Sequence, residues 1–212
     1  MRRVVCRWTG CCLIAGWSLQ AAATGLQVQT QDSAGKPLAD VVVYAEPESG
    51  PVGLRPAAPV QIEQKGLKFI PLVSVIQTGT TIVFPNNDRV RHHIYSFSPA
   101  HKFDQKLYSG QAAAPQVFDR AGTVVLGCNI HDRMVAYVKV VDTPYFAKSD
   151  SSGMAQIELP AGGRYTVRAW HYNAAGGTTA EQQISVKGGD TLAAVSFRLA
   201  LKALANDDGA VQ

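Results

Sequence analysis

Three residues near the middle of the chain, Cys128, His131 and Met134 in "GCNIHDRM", carry side chains that bind soft metal ions. Two residues separate each donor from the next, so a short loop can turn all three toward one point. A thiolate and imidazole nitrogens bind copper strongly, and a thioether adds a weak, long contact. Two histidines, one cysteine and an axial methionine are the donor set of a copper site that transfers electrons. The second histidine must then come from a neighbouring strand, because donors confined to one loop would be mobile. His92 and His93, which open "HHIYSF", are the candidates. Strand alternation sends them to opposite faces, so only one can serve.

Each of these residues also has a plainer role. A lone cysteine ending a buried strand is ordinarily a small core residue, and a lone methionine ordinarily fills a core gap. What favours metal binding is the combination of spacing, strand order and an upstream histidine. His101 and His171 lack such a context and are expected at the surface or in hydrogen bonds. Tyr95, Phe97, Phe103 and Tyr108 are expected to pack in the core, and Asp104 and Asp119 carry no acid–base signature. The chain shows no Gly-rich phosphate loop, no CxxC pair and no nucleophile elbow.

The first residues are expected to be an export signal. Arg2, Arg3 and Arg7 precede the apolar run "CCLIAGWSLQAAA", whose Ala21 and Ala23 suit cleavage after position 23. The run is too short to span a bilayer, so no stable membrane insertion is expected once the signal is removed. Loss of three arginines and no acid takes the formal net charge from +4 to +1. That balance offers nothing to nucleic acid. Three of the four cysteines, Cys6, Cys11 and Cys12, leave with the signal, and Cys128 remains alone. In an oxidising compartment cysteines are mostly paired; an unpaired one is an inert buried thiol, a reactive thiol or a metal ligand.

The elements that must hold these donors read as strands. Hydrophobic residues make up 46% and charged residues 17% of the chain, which suits a packed protein rather than a disordered one. Short Val-, Ile- and Thr-rich runs alternate with Gly and Pro turns, an all-β signal. Leu26, Val28 and Thr30 alternate with glutamines, and a second strand spans 41–45. Residues 46–59 are Pro- and Gly-rich and read as a loop. The block 60–142 contains at least six strands: "HHIYSF", "GTVVLGC" and "VAYVKVV" are the clearest, and 98–115 reads as irregular. The block 143–203 adds about four strands, and 204–212 reads as a frayed tail. Two strands alone cannot bury a face, so 24–59 and 143–203 are expected to form one small sandwich into which 60–142 is inserted; the competing arrangement is two consecutive domains, with the N-terminal strands added to the middle one.

"FDRAGTVVLGCNIHDRMVAYVKVV" and "FPNNDRVRHHIYSF" resemble the cupredoxins of the plastocyanin, pseudoazurin and amicyanin type. The resemblance implies a Greek-key β-sandwich over 60–142 with one copper ion, Cu(I) or Cu(II), held by His92, Cys128, His131 and Met134. His92 takes the position of the ligand, and His93 takes that of an Asn tying the two loops together; His93 is the alternative ligand. His131 is the implied electron exit. The chain departs from the pattern where Pro residues usually flank the loop histidine: Ile130 and Asp132 stand there, and Asp132 and Arg133 make the rim more polar. "DSAGKPLADVVVYA" and "SDSSGMAQIELPAGGRYTVRA" resemble the carboxypeptidase-regulatory-like sandwich, an immunoglobulin-like fold. The whole chain resembles secreted bacterial proteins labelled methylamine utilization protein, a label that implies no role in methylamine oxidation.

The expected function is that of a periplasmic or secreted type 1 (blue) copper protein that passes single electrons between redox protein partners. It is not expected to be an enzyme, since a copper oxidase or reductase needs an open coordination position or further copper, and the chain offers one donor set. A copper-binding or delivery protein and a structural β-sandwich module are the competing readings.

Overall fold

The computed structural model describes residues 24–50, 52–54, 58–108, 114–160, 162–187 and 193–203. The expected signal over 1–23, with Cys6, Cys11 and Cys12, and the expected tail over 204–212 lie outside the described residues. Among those described, the fold is all-β, with one three-residue 3-10 turn at Ala175–Gly177. No helix there is long and apolar enough to cross a membrane.

The strands in chain order are β1 (Thr24–Asp32), β2 (Val42–Pro47), β3 (Val60–Gln61), β4 (Glu63–Gln64), β5 (Phe69–Ile70), β6 (Val73–Gln77), β7 (Thr80–Val83), β8 (His92–Ser98) and β9 (His101–Tyr108). They continue with β10 (Gln116–Phe118), β11 (Gly122–Cys128), β12 (Val135–Val141), β13 (Phe146–Lys148), β14 (Met154–Leu159), β15 (Gly163–Trp170), β16 (Ala180–Val186) and β17 (Ala193–Leu199).

The middle strands make a two-sheet sandwich. One sheet runs β6-β12-β11-β8-β9; the facing layer is β10-β7-β3 with the short β4-β5 pair. Alternation decides what goes inside. Val124, Leu126 and Cys128 of β11 and Ala136, Val138 and Val140 of β12 point into one core, where they meet Ile82, Phe84 and Phe118 from the other layer. The stretch 98–115, expected to be irregular, contains the last residue of β8 and all of β9. Its inward positions include His101 and Gln105 rather than aliphatic residues, which hides the period. His101 is half-buried, its ring 4.4 Å from that of Phe118 and 5.3 Å from that of Phe103. Phe97, expected in the core, is 77% exposed, because it sits on the outward phase of β8.

A second sandwich has sheets β14-β1-β17 and β13-β2-β15-β16. β1 pairs antiparallel with β14 and parallel with β17, so strands more than a hundred residues apart share one sheet. Leu26 and Val28 of β1, Ile157 of β14, Phe197 of β17 and Val167 of β15 build its core. The opposite face of β2 offers Val42 and Tyr44 to Val73 and Val141 of the middle sandwich, with Trp170 closing the contact. Lys139 lies across this contact, its ammonium 5.9 Å from the Tyr44 ring centre and 5.4 Å from that of Trp170. Burial there holds its pKa below the ordinary lysine value.

His171, just after β15, is buried against Tyr172, and its Nδ1 accepts the Asn173 N–H at 3.2 Å. Burial lowers its pKa below the ordinary 6.5, against a smaller upward pull from Asp40. A histidine with a lowered folded pKa contributes stability that is whole above its unfolded pKa and lost as pH falls through the folded value. The free energy of unfolding is therefore expected to drop below about pH 6.5. His171→Gln, which keeps a hydrogen-bond acceptor without the titration, is expected to remove part of that drop. Urea unfolding at neutral and mildly acidic pH measures it; identical pH slopes for the two proteins would contradict the assignment.

Candidate metal centre

β11 ends at Cys128, whose phase on the strand points the thiol inward; it is 4% exposed. The chain then turns tightly. The Met134 N–H donates to the His131 carbonyl at 2.9 Å, and the Cys128 N–H donates to the Met134 carbonyl at 3.2 Å. These two bonds close residues 128–134 into a compact connection before β12. The loop is also tied to β8, where the Asn129 N–H donates to the His93 carbonyl at 3.1 Å.

β8 supplies the histidine. His92 is fully buried and Ile94 follows it inward, while His93 and Tyr95 face the other way. The ladder between β8 and β9 shifts register between His92 and Ile94, a β-bulge at the end of the strand nearest the site. Bulges of this kind re-aim side chains at sheet ends. His93 pairs through Nε2 with the Asp104 carboxylate on the outer face. The loop-to-loop tie expected of its side chain is made instead by its backbone carbonyl.

Three donor atoms converge. Cys128 Sγ lies 3.7 Å from His92 Nδ1 and 3.7 Å from His131 Nδ1. The donors of all three residues lie within 4.8 Å of one another. Metal–sulfur and metal–nitrogen bonds of about 2.3 and 2.0 Å put two donors on one ion roughly 3.5–3.8 Å apart, so the observed spacing fits. The two imidazole rings are 5.1 Å apart and inclined by 57°, neither stacked nor in collision. Met134 is buried in the same core as Cys128. Cys128 is the one free cysteine among the described residues. His131 is half-buried; Ile130 beside it is 47% exposed, and Asp132 and Arg133 are exposed. One side of the site therefore reaches solvent across a rim that is partly apolar and partly charged.

Asp88 completes the surroundings and was not among the residues singled out from sequence. Its Oδ2 lies 2.8 Å from His92 Nε2, and its side chain is 12% exposed. The carboxylate also accepts the N–H groups of Gly66 at 2.6 Å and Leu67 at 3.1 Å. Gly66 and Leu67 are the central residues of the β4–β5 hairpin, with φ of +62° and +57°. Positive φ at both central positions is what a type I′ turn requires, and both central N–H groups here reach Asp88. Asn86 shapes the other side, accepting the Asp88 N–H at 3.0 Å and donating to the Val90 carbonyl at 2.9 Å. Partial burial pushes the Asp88 carboxyl up, but hydrogen bonds from His92, Leu67 and Gly66 outweigh it, and its pKa lies below the ordinary carboxylate value. The signal available in the sequence is a carboxylate four residues before the histidine, inside "FPNND".

No family model matches the chain, and no curated protein does. Among solved structures, it is similar to a Cu-containing nitrite reductase from Thermus scotoductus SA-01, at 23% identity and a TM-score of 0.38. That alignment covers 45% of this chain and 25% of the reductase, so this chain spans about a quarter of it. A purple cupredoxin from Nitrosopumilus maritimus is similar at 26% identity and a TM-score of 0.35, over 39% of this chain and 99% of that one. A methionine-to-alanine mutant of amicyanin in its Cu(I) state is similar at 15% identity and a TM-score of 0.37, over 46% of this chain and 99% of its own.

Proposed function

We propose that the middle sandwich is a cupredoxin-type module that holds one copper ion and carries single electrons. The observation that carries this reading is the pair of 3.7 Å separations from Cys128 Sγ to two imidazole Nδ1 atoms. In this reading His92, Cys128 and His131 are ligands and Met134 is the weaker fourth donor. Copper, when bound, supplies the Cu(II)/Cu(I) couple; a thiolate with two imidazoles and a thioether suits both states. The chain's own part is to hold the donors in place and keep water from the sulfur. β8, β11 and the 128–134 turn fix positions, and burial of His92, Cys128 and Met134 excludes solvent. His131, half-buried at the rim beside exposed Ile130, is the electron exit, and a redox protein of the exported compartment docks over it. Residues 24–59 and 143–203 form the sandwich that receives the insertion, which the pairing of β1 with β14 and β17 supports.

The test is titration of the purified chain with Cu(II), followed by electron self-exchange between its two oxidation states. One equivalent of copper with an intense visible sulfur-to-copper band and fast exchange is expected. Binding with slow exchange would turn the reading to storage or delivery, and no binding would end it.

A further inference from the structure

We propose that Asp88 is a positioning residue of the metal centre: it holds His92 with its proton on Nε2, leaving Nδ1 free as the donor, and places a negative charge behind the ring. The tautomer part needs only the apoprotein; the effect on copper rests on the function proposed above.

The geometry separates the two nitrogens of His92. Nε2 faces Asp88 Oδ2 at 2.8 Å, and Nδ1 faces Cys128 Sγ at 3.7 Å. An ionised carboxylate can only accept, so the nitrogen facing it must carry the hydrogen. The second ring nitrogen is then a bare lone pair aimed at the thiol. A ligating histidine whose other N–H meets a carboxylate is fixed in orientation and made more basic.

Asp88 is itself held from two directions. The hairpin turn at residues 65–68 donates two backbone N–H groups to it, and Asn86 caps the loop that carries it. His92 is fully buried, so its N–H has no access to water and depends on this partner. A charge on the far side of the ligand ring favours the ion of higher charge. Through His92, the Asp88 charge is thus expected to stabilise bound Cu(II) more than bound Cu(I), lowering the reduction potential. A residue that only braced the loop would weaken both oxidation states alike.

The experiment pairs Asp88→Asn with the unaltered chain. In the metal-free wild-type protein, nitrogen-15 NMR is expected to find neutral His92 protonated on Nε2. A proton on Nδ1 overturns the proposal, whether or not the chain takes copper. In copper-loaded protein, Asp88→Asn is expected to weaken Cu(II) binding by about 10- to 100-fold and Cu(I) binding by less. Each tenfold of difference raises the potential by about 59 mV for one electron. An unchanged Cu(II)-to-Cu(I) affinity ratio overturns the charge effect while leaving copper binding itself intact. If the wild-type chain binds no copper, the function fails and the tautomer measurement still decides the role of Asp88; it decides equally if Asp88→Asn does not fold.

Discussion

Cys128→Ser is expected to abolish the intense visible band that the wild-type chain develops with Cu(II), while leaving the sandwich folded. The band arises from charge transfer out of a thiolate sulfur, and no other described cysteine exists to supply one. A serine oxygen is a poor ligand at neutral pH because it keeps its proton, so the imidazoles of His92 and His131 would lose their strongest companion. Affinity is expected to fall by more than the roughly 10- to 100-fold typical of changes one shell further out. The fold has less at stake. Serine is close to isosteric, and burying its hydroxyl costs about 1–3 kcal/mol when unpaired. Its single hydrogen can go to one of the two Nδ1 atoms that face this position once that ring closes on the shorter side chain. Circular dichroism and thermal melting should therefore show a native sandwich that no longer colours with copper. A variant that keeps the band would remove Cys128 from the site and the blue-copper reading with it.

Gly153→Ala should produce the reverse pattern, an intact site on a weakened scaffold. Gly153 sits in the turn before β14 with φ of +75°, and a Cβ there would lie 2.3 Å from the Thr30 carbonyl oxygen and 3.1 Å from the Leu38 nitrogen. Both neighbours are backbone atoms and cannot rotate away. The left-handed conformation costs an L-residue about 1–2 kcal/mol, and forced overpacking adds about 1–3 kcal/mol. The Gly153 carbonyl also accepts the Thr30 N–H at 2.8 Å and the Thr30 hydroxyl at 3.0 Å, so displacement would loosen β1 from its sheet. A total of about 2–5 kcal/mol lowers Tm by roughly 4–20 °C for a chain of this size. Gly79→Ala is the control, since it has a similar φ of +88° and open space around the added methyl. Equal losses in the two variants would mean that the Thr30 contact contributes nothing. The copper band should be the same in both.

Local pattern was enough for the strands that carry the donors. "GTVVLGC" and "VAYVKVV" alternate cleanly, and β11 and β12 occupy those residues. The Asn-rich turn and the short connection after Cys128 were likewise readable, because turn residues and strand period are properties of a few neighbouring positions. β9 was not readable, since His101 and Gln105 occupy inward positions that would ordinarily be apolar. Phe97 was misjudged for the opposite reason: an aromatic residue is a strong core signal, yet the phase of β8 is set by its neighbours in the sheet.

Residue chemistry and spacing in the chain were sufficient to single out Cys128, His92 and His131, whose donor atoms the fold brings together, because ligand preference belongs to the side chains themselves. Which imidazole faces the sulfur was a matter of register: a one-residue slip in a strand exchanges the two faces. The long-range ladder and the bulge beside His92 set that phase. Asp88 stands four residues before His92 in the sequence, but its role was decided by the tertiary structure. Its role depends on a hairpin more than twenty residues upstream, whose N–H groups point at it only after β4 and β5 have paired. The same holds for β1, whose partners β14 and β17 lie beyond the entire middle sandwich. Hydrogen-bond partners distant in sequence leave no local trace, and only the folded chain brings them together.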